Sequence, residues 1–161
     1  MKKISTIFLQ AVIVLIGIGA LAFLIWEPTV EGVNANATTF SQIYLDDPFL
    51  ACAYLVSIAF FAGLHQAFTL LGYIRQNRIF SQDAVKALRN IKYCAIFLVA
   101  CLVVAEVWLF IAMRGKDDIA GGVVMGLVLM LVFAVSAAAA AVAERTLRKA
   151  VEMKSENELT V

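Results

Sequence analysis

The sequence predicts an all-α integral membrane protein, a four-transmembrane-helix bundle with both termini in the cytoplasm. Three observations predict it. Of 161 residues, 63% are hydrophobic and only 16% charged, outside the range of soluble domains. The apolar residues gather into four blocks, each long enough to cross about 30 Å of hydrocarbon at about 1.5 Å per residue. Eleven of the thirteen Lys and Arg residues fall on one side of the membrane if the chain crosses four times. The remaining loops and tails are too short for a separate soluble domain, so a single membrane domain over residues 1–161 is expected.

The first block covers about residues 7–26, after Lys2 and Lys3. A basic start before an apolar run suits a signal peptide, and Ala20-Leu21-Ala22 resembles a cleavage site. The run continues to Trp26, however, past the usual signal core, and is read as an uncleaved helix. The second block, about 48–74, holds no formal charge. Pro48 suits a first helical turn, where its missing N–H costs nothing, and Asp46 or Asp47 can cap it. The third, about 93–113, contains one charge, Glu106. Its helix is predicted to begin near 82 in the cytoplasm, with Ser81 as N-cap, Asp83 in the first turn and Phe80 stapling onto Val85. The fourth, about 119–143, is a run of uncharged residues that includes Ala137 to Ala141.

Orientation follows from basic residues in short loops. Lys2 and Lys3, then Arg75, Arg78, Lys86, Arg89 and Lys92, then Arg145, Arg148, Lys149 and Lys154 share one side. Arg114 and Lys116 stand alone on the other, where the first loop carries Glu27, Glu31, Asp46 and Asp47 and no basic residue. This places both termini in the cytoplasm. Asn36-Ala37-Thr38 matches a glycosylation sequon on the outer side, a pattern short enough to arise by chance.

Lipid tails are as apolar as leucine, so helices associate in membranes through close backbone approach. Ala59, Gly63 and Ala67 recur every fourth residue on the second helix; Cys94, Cys101, Ala105 and Ala112 line one face of the third. Gly122 and Gly126 form a GxxxG on the fourth, which suits packing within the chain or against a second copy in a homo-oligomer. At the start of the third helix Lys86, Arg89 and Lys92 alternate with Val85, Leu88 and Ile91. With Arg75 and Arg78 they form a basic surface for lipid head groups, each residue worth about 1 kcal/mol, or for a cytoplasmic partner.

Two intramembrane side chains stand out, His65 beside Gln66 and Glu106. A charge near the bilayer centre costs about 2.5 to 3.5 kcal/mol on insertion scales, so Glu106 calls for a partner. His65 lies about 15 Å and Glu106 about 20 Å above the basic loop on consecutive antiparallel helices. The two are a candidate pair that senses protons or holds a cation, or each simply bonds a neighbouring helix.

No enzyme constellation is legible. There is one histidine, no Ser/His/Asp set, no P-loop and no GxGxxG, and no cofactor or direct nucleic-acid contact is expected. Cys52, Cys94 and Cys101 lie inside apolar blocks without a CxxC, as small packing residues rather than zinc ligands or disulfides.

Phe80-Ser81, the run Val85-Lys86-Ala87-Leu88-Arg89-Asn90-Ile91-Lys92-Tyr93-Cys94 and the ending Lys154-Ser155-Glu156-Asn157-Glu158-Leu159-Thr160-Val161 resemble the YoaS-like bacterial membrane proteins, the family of domain of unknown function 2975. The resemblance covers essentially the whole chain and implies four membrane segments in the bacterial inner membrane. It implies no catalytic or ligand residue. Genes of this family often neighbour a small helix-turn-helix regulator, which implies a membrane protein that sequesters or signals to a DNA-binding partner. Leu159 to Val161 are β-prone and suit addition to a partner's sheet edge, or a frayed terminus. The expected function is therefore a non-enzymatic regulator or anchor for a small cytoplasmic transcription factor. The alternative is a small transporter or ion-responsive protein built on His65 and Glu106.

Overall fold

The computed structural model describes the backbone of residues 2–30, 39, 48–112 and 120–159, and the side chains of 4–26, 39, 52–111 and 121–156. The sequon, the acids of the first loop, Ala112 as a side chain, Arg114, Lys116 and Val161 lie outside the described side chains. The described chain forms four helices, α1 (Lys2–Val30), α2 (Pro48–Arg75), α3 (Gln82–Ala112) and α4 (Ala120–Leu159). All four are long and apolar enough to cross a membrane.

Each helix outruns its apolar block. The candidate membrane stretch of α4 alone, Gly121–Glu156, has 36 residues. That is about 54 Å, nearly twice the hydrocarbon thickness of about 30 Å. Its first charged residue is Glu144, after which the helix continues through good helix formers to Leu159. The helix runs to Leu159, and Thr160 and Val161, the rest of the expected β-prone ending, lie outside the described residues.

The helices pack in chain order, α1 on α2, α2 on α3 and α3 on α4. Phe60 and Phe133, edge to face at 6.3 Å, also bring α2 against α4. Polar bonds that join α1 to α2 include Tyr54, which donates its hydroxyl to the Leu24 carbonyl at 2.8 Å, and Gln10, whose Nε2 donates to the Phe68 carbonyl at 3.4 Å. Ser57, Thr69 and Ser136 satisfy their hydroxyls on carbonyls of their own helices, as a solvent without hydrogen-bond partners demands.

The arrangement puts the start of α1, the α2–α3 corner and the end of α4 at one end of the molecule. The hydrophobic core cluster sits there: Ala84, Val85 and Leu88 of α3 against Leu147 and Val151 of α4, with Leu70, Tyr73 and Ile79 packed on it. None of residues 52–75 in α2 is fully buried, and many large apolar side chains along all four helices face outward. Such a surface would aggregate in water and is solvated in lipid.

The corner is built from local chemistry. Asn77 takes a positive φ of 56°, the left-handed conformation that asparagine tolerates better than most residues. Its N–H reaches the Ile74 carbonyl at 3.2 Å, and the Arg78 N–H reaches the Tyr73 carbonyl at 2.9 Å. This is a Schellman ending for α2 with asparagine in the glycine position. Ser81 then caps α3, its hydroxyl accepting from the Ala84 N–H at 3.3 Å. Phe80 is exposed, and Ile79 makes the apolar contact at this corner instead. The partly buried residues on the hydrophobic core cluster include Ile79 and not Phe80, the residue expected to staple onto Val85.

Asn77→Val is expected to lower stability by roughly 1–2 kcal/mol because a β-branched residue resists positive φ, while Asn77→Gly keeps it. Thermal unfolding in detergent micelles checks both.

Candidate functional site

Ion pairing concentrates where α3 and α4 leave the bilayer. Consecutive antiparallel helices bring Arg89 and Lys92, just before the third apolar block, level with Glu144, just after the fourth. Glu144 is 2% exposed. Its Oε1 accepts from Arg89 Nε at 3.0 Å and from Arg148 Nη2 one turn on, while Oε2 accepts from Lys92 Nζ at 2.6 Å. The Lys92 ammonium also lies 4.8 Å from the centroid of the Tyr93 ring.

The Lys92 hydrogen bond, aided by Arg89 and Arg148 and opposed by burial, holds the Glu144 carboxyl at about 2 against its ordinary 4.5. Only the acid of this set is buried; its cationic partners are partly exposed and recover hydration, so loss of the carboxylate costs about 1.5–3 kcal/mol. The cluster is therefore a clamp that fixes the register of α3 against α4, beside the apolar core of Leu88, Leu147 and Val151.

This arrangement changes the basic surface expected from sequence. Arg89 and Lys92 are oriented by Glu144, each through one hydrogen bond, while their side chains stay partly exposed. Lys86 faces Asp83 across an exposed pair at 3.9 Å, which contributes little. Arg75 and Arg78 are exposed and make no ion pair among the described residues. Glu144 itself was missed as a site by sequence reasoning. A signal was there: an acid with Arg148 four residues on, at the same depth as Arg89 and Lys92.

Inside the membrane, the structure does not bring His65 and Glu106 together. The His65 side chain is exposed and makes no hydrogen bond or ion pair among the described residues. Glu106 turns the other way, onto α4. Its carboxyl occupies the space a side chain at Gly126 would fill: a Cβ there would meet Glu106 Cδ at 2.7 Å and Cγ at 3.3 Å, with Oε1 closer still. Glu106 Oε2 is buried without a hydrogen-bond partner. The pair fails because the two side chains leave their helices in different directions, which depth alone does not reveal.

The small residues sit at helix contacts. A Cβ on Gly63 would lie 3.4 Å from Cys94 Cβ, and one on Gly122 would lie 3.4 Å from Leu109 Cδ2. Ala59 and Ala67 are half-buried on α2. The GxxxG glycines thus both face α3. Between α2 and α3 lies an apolar groove of about 630 Å³, whose lining includes Cys52, Val56, Phe97, Cys101, Ala105 and Trp108. All three cysteines are free, and no three His, Cys, Asp or Glu side chains converge among the described residues.

Comparison with known proteins adds a family. Residues 31–161 match a family model described as protein of unknown function (DUF2975). The chain is 42% identical over 163 residues to the uncharacterized membrane protein YoaS of Bacillus subtilis (strain 168), covering 100% of both chains. No solved structure matches.

Two outcomes are expected. Glu144→Gln lowers stability by about 1.5–3 kcal/mol at neutral pH. In the parent, the stability from this carboxylate is full above about 4.5 and disappears as pH falls through about 2; that acid-limb slope, read from unfolding midpoints against pH, is absent in Glu144→Gln. Separately, Gly126→Ala costs about 1–3 kcal/mol by overpacking. A Glu106→Ala background relieves most of it, and a double-mutant cycle measures the coupling.

Proposed function

From the premise that the chain belongs to the DUF2975 family of proteins of unknown function, we propose that it is a non-enzymatic regulatory or anchoring protein of the bacterial cytoplasmic membrane. Its working surface is the basic end, which faces the cytoplasm with both termini, and its partner is a small soluble DNA-binding regulator. The observation that carries this reading is where the buried core and the ion pairs concentrate. The buried clamp on Glu144 and the apolar cluster of Val85, Leu88, Leu147 and Val151 lie at the water-exposed end of α3 and α4. A protein whose task lies within the bilayer needs its ordered polar groups there. A protein that presents a surface to a soluble partner needs a firm headpiece instead.

The orientation is supported by the same end of the molecule. The α2–α3 corner and the end of α4 collect nine of the thirteen Lys and Arg residues, and basic loops are retained in the cytoplasm. The exposed Arg75, Arg78, Arg145 and Lys149 give this headpiece a positive face. The neighbouring regulator genes implied by the family resemblance supply the class of partner. The transport reading rested on a His65–Glu106 pair, and those side chains lie apart.

Photoreactive residues at Arg78 and Lys149, both exposed and outside the clamp, are expected to crosslink one small soluble DNA-binding protein in native membranes. The same result supports the orientation. Recovery of lipid and self-crosslinks alone, with a candidate regulator verified as expressed, sinks the partner reading.

A further inference from the structure

Glu144 does not neutralise the cluster that it organises. One carboxylate faces Arg89, Lys92 and Arg148, leaving two positive charges in excess. The acid is inside and the cations are outside: the Glu144 side chain is 3% exposed, against 44% for Arg89, 45% for Arg148 and 21% for Lys92. Arg89 spends only Nε on the carboxylate and Arg148 one Nη2. Most guanidinium donors are therefore not used by Glu144, and both side chains are partly exposed. Of the other charged residues nearby, Asp83 is engaged with Lys86 and Glu152 is exposed on α4 two turns past Glu144.

The depth of this face is set by its neighbours. Lys92 directly precedes the third apolar block and Glu144 directly follows the uncharged run of α4. Tyr93, with its exposed ring against the Lys92 ammonium, is the residue type that marks the membrane–water boundary. One turn deeper on the same stripe of α3, Ile96 is exposed and apolar. A ligand seated here meets fixed cations at head-group level and hydrocarbon-solvated side chains above them.

We propose that Arg89, Lys92 and Arg148, held in place by Glu144, bind the phosphate of an anionic phospholipid. Guanidinium forks match phosphate oxygens in pairs, and the lysine adds a point charge. Glu144 has already ordered the side chains, so less rotamer freedom is lost on binding than at unrestrained surface lysines. A zwitterionic lipid brings its own cation to this face and is disfavoured. A soluble phosphate shares the recognised group but lacks the acyl chains that lie along Ile96. The site is independent of the partner reading and stands whether or not a soluble protein docks on the headpiece.

The test uses the full-length protein in neutral detergent, with lipid retention followed by native mass spectrometry after titration with phosphatidylglycerol or phosphatidylcholine. The wild type is expected to retain phosphatidylglycerol in preference. Arg89→Gln and Arg148→Gln each leave Glu144 two cations and are expected to weaken that retention about tenfold, the loss typical of a charged hydrogen bond, whereas Arg78→Gln changes it little. Equal small losses in all three variants mean diffuse surface attraction and overturn the site. So does equal retention of the two lipids. Displacement of the lipid by glycerol phosphate at comparable concentration assigns the cluster to a soluble anion and overturns the lipid assignment. Should either glutamine variant unfold, Arg148→Lys keeps the charge without the fork. It is expected to bind severalfold more weakly, and unchanged retention overturns the proposal.

Discussion

A carboxylate removed from water must be matched by donors or it destabilises the fold around it. Glu144 meets that requirement with three cations from two helices, at the level where α3 and α4 emerge from the bilayer. The geometry this imposes is narrow, since a shift of one residue in either helix would leave a buried charge unmatched. The apolar cluster of Ala84, Val85, Leu88, Leu147 and Val151 packs beside it in the register so defined. In water that cluster gains from the hydrophobic effect, which helices in lipid do not have.

The membrane-embedded part is held by different means. Hydrocarbon gives no driving force for apolar contact, so order there comes from small residues and from a few polar bonds. Tyr54 and Gln10 join α1 to α2 through backbone carbonyls. Gly63 admits Cys94, Gly122 admits Leu109, and Gly126 makes room for the Glu106 carboxyl. The last contact is unlike the others, because it places an ionisable group against a helix surface with one oxygen lacking a partner. It brings α3 and α4 together along the bilayer, while Glu144 joins them at the boundary.

These two regions divide the molecule into a lightly packed, lipid-solvated body and a firm, positively charged headpiece. The apolar groove between α2 and α3 belongs to the first and suits hydrocarbon. The headpiece combines exposed Arg75, Arg78 and Lys149 with the oriented cations around Glu144. Lipid phosphate at the rim and a soluble partner beyond it would occupy different parts of this surface, so anchoring and recruitment need not compete.

The number of helices, their approximate spans and the asymmetry of basic residues were legible in the sequence. Hydrophobic run length and the cost of burying charge in lipid act locally and leave little choice. Ser81 as the α3 cap was legible for the same reason, since a cap depends on a few neighbouring residues. What only the tertiary structure decided was direction. Whether Arg89 points to a partner or to Glu144, whether Glu106 meets His65 or Gly126, and whether Ile79 or Phe80 closes the corner depend on helix rotation and register. Those are set by contacts between residues far apart in the chain, such as Arg89 with Glu144, 55 positions on, and sequence spacing within one helix carries depth but not the angle at which its neighbour arrives.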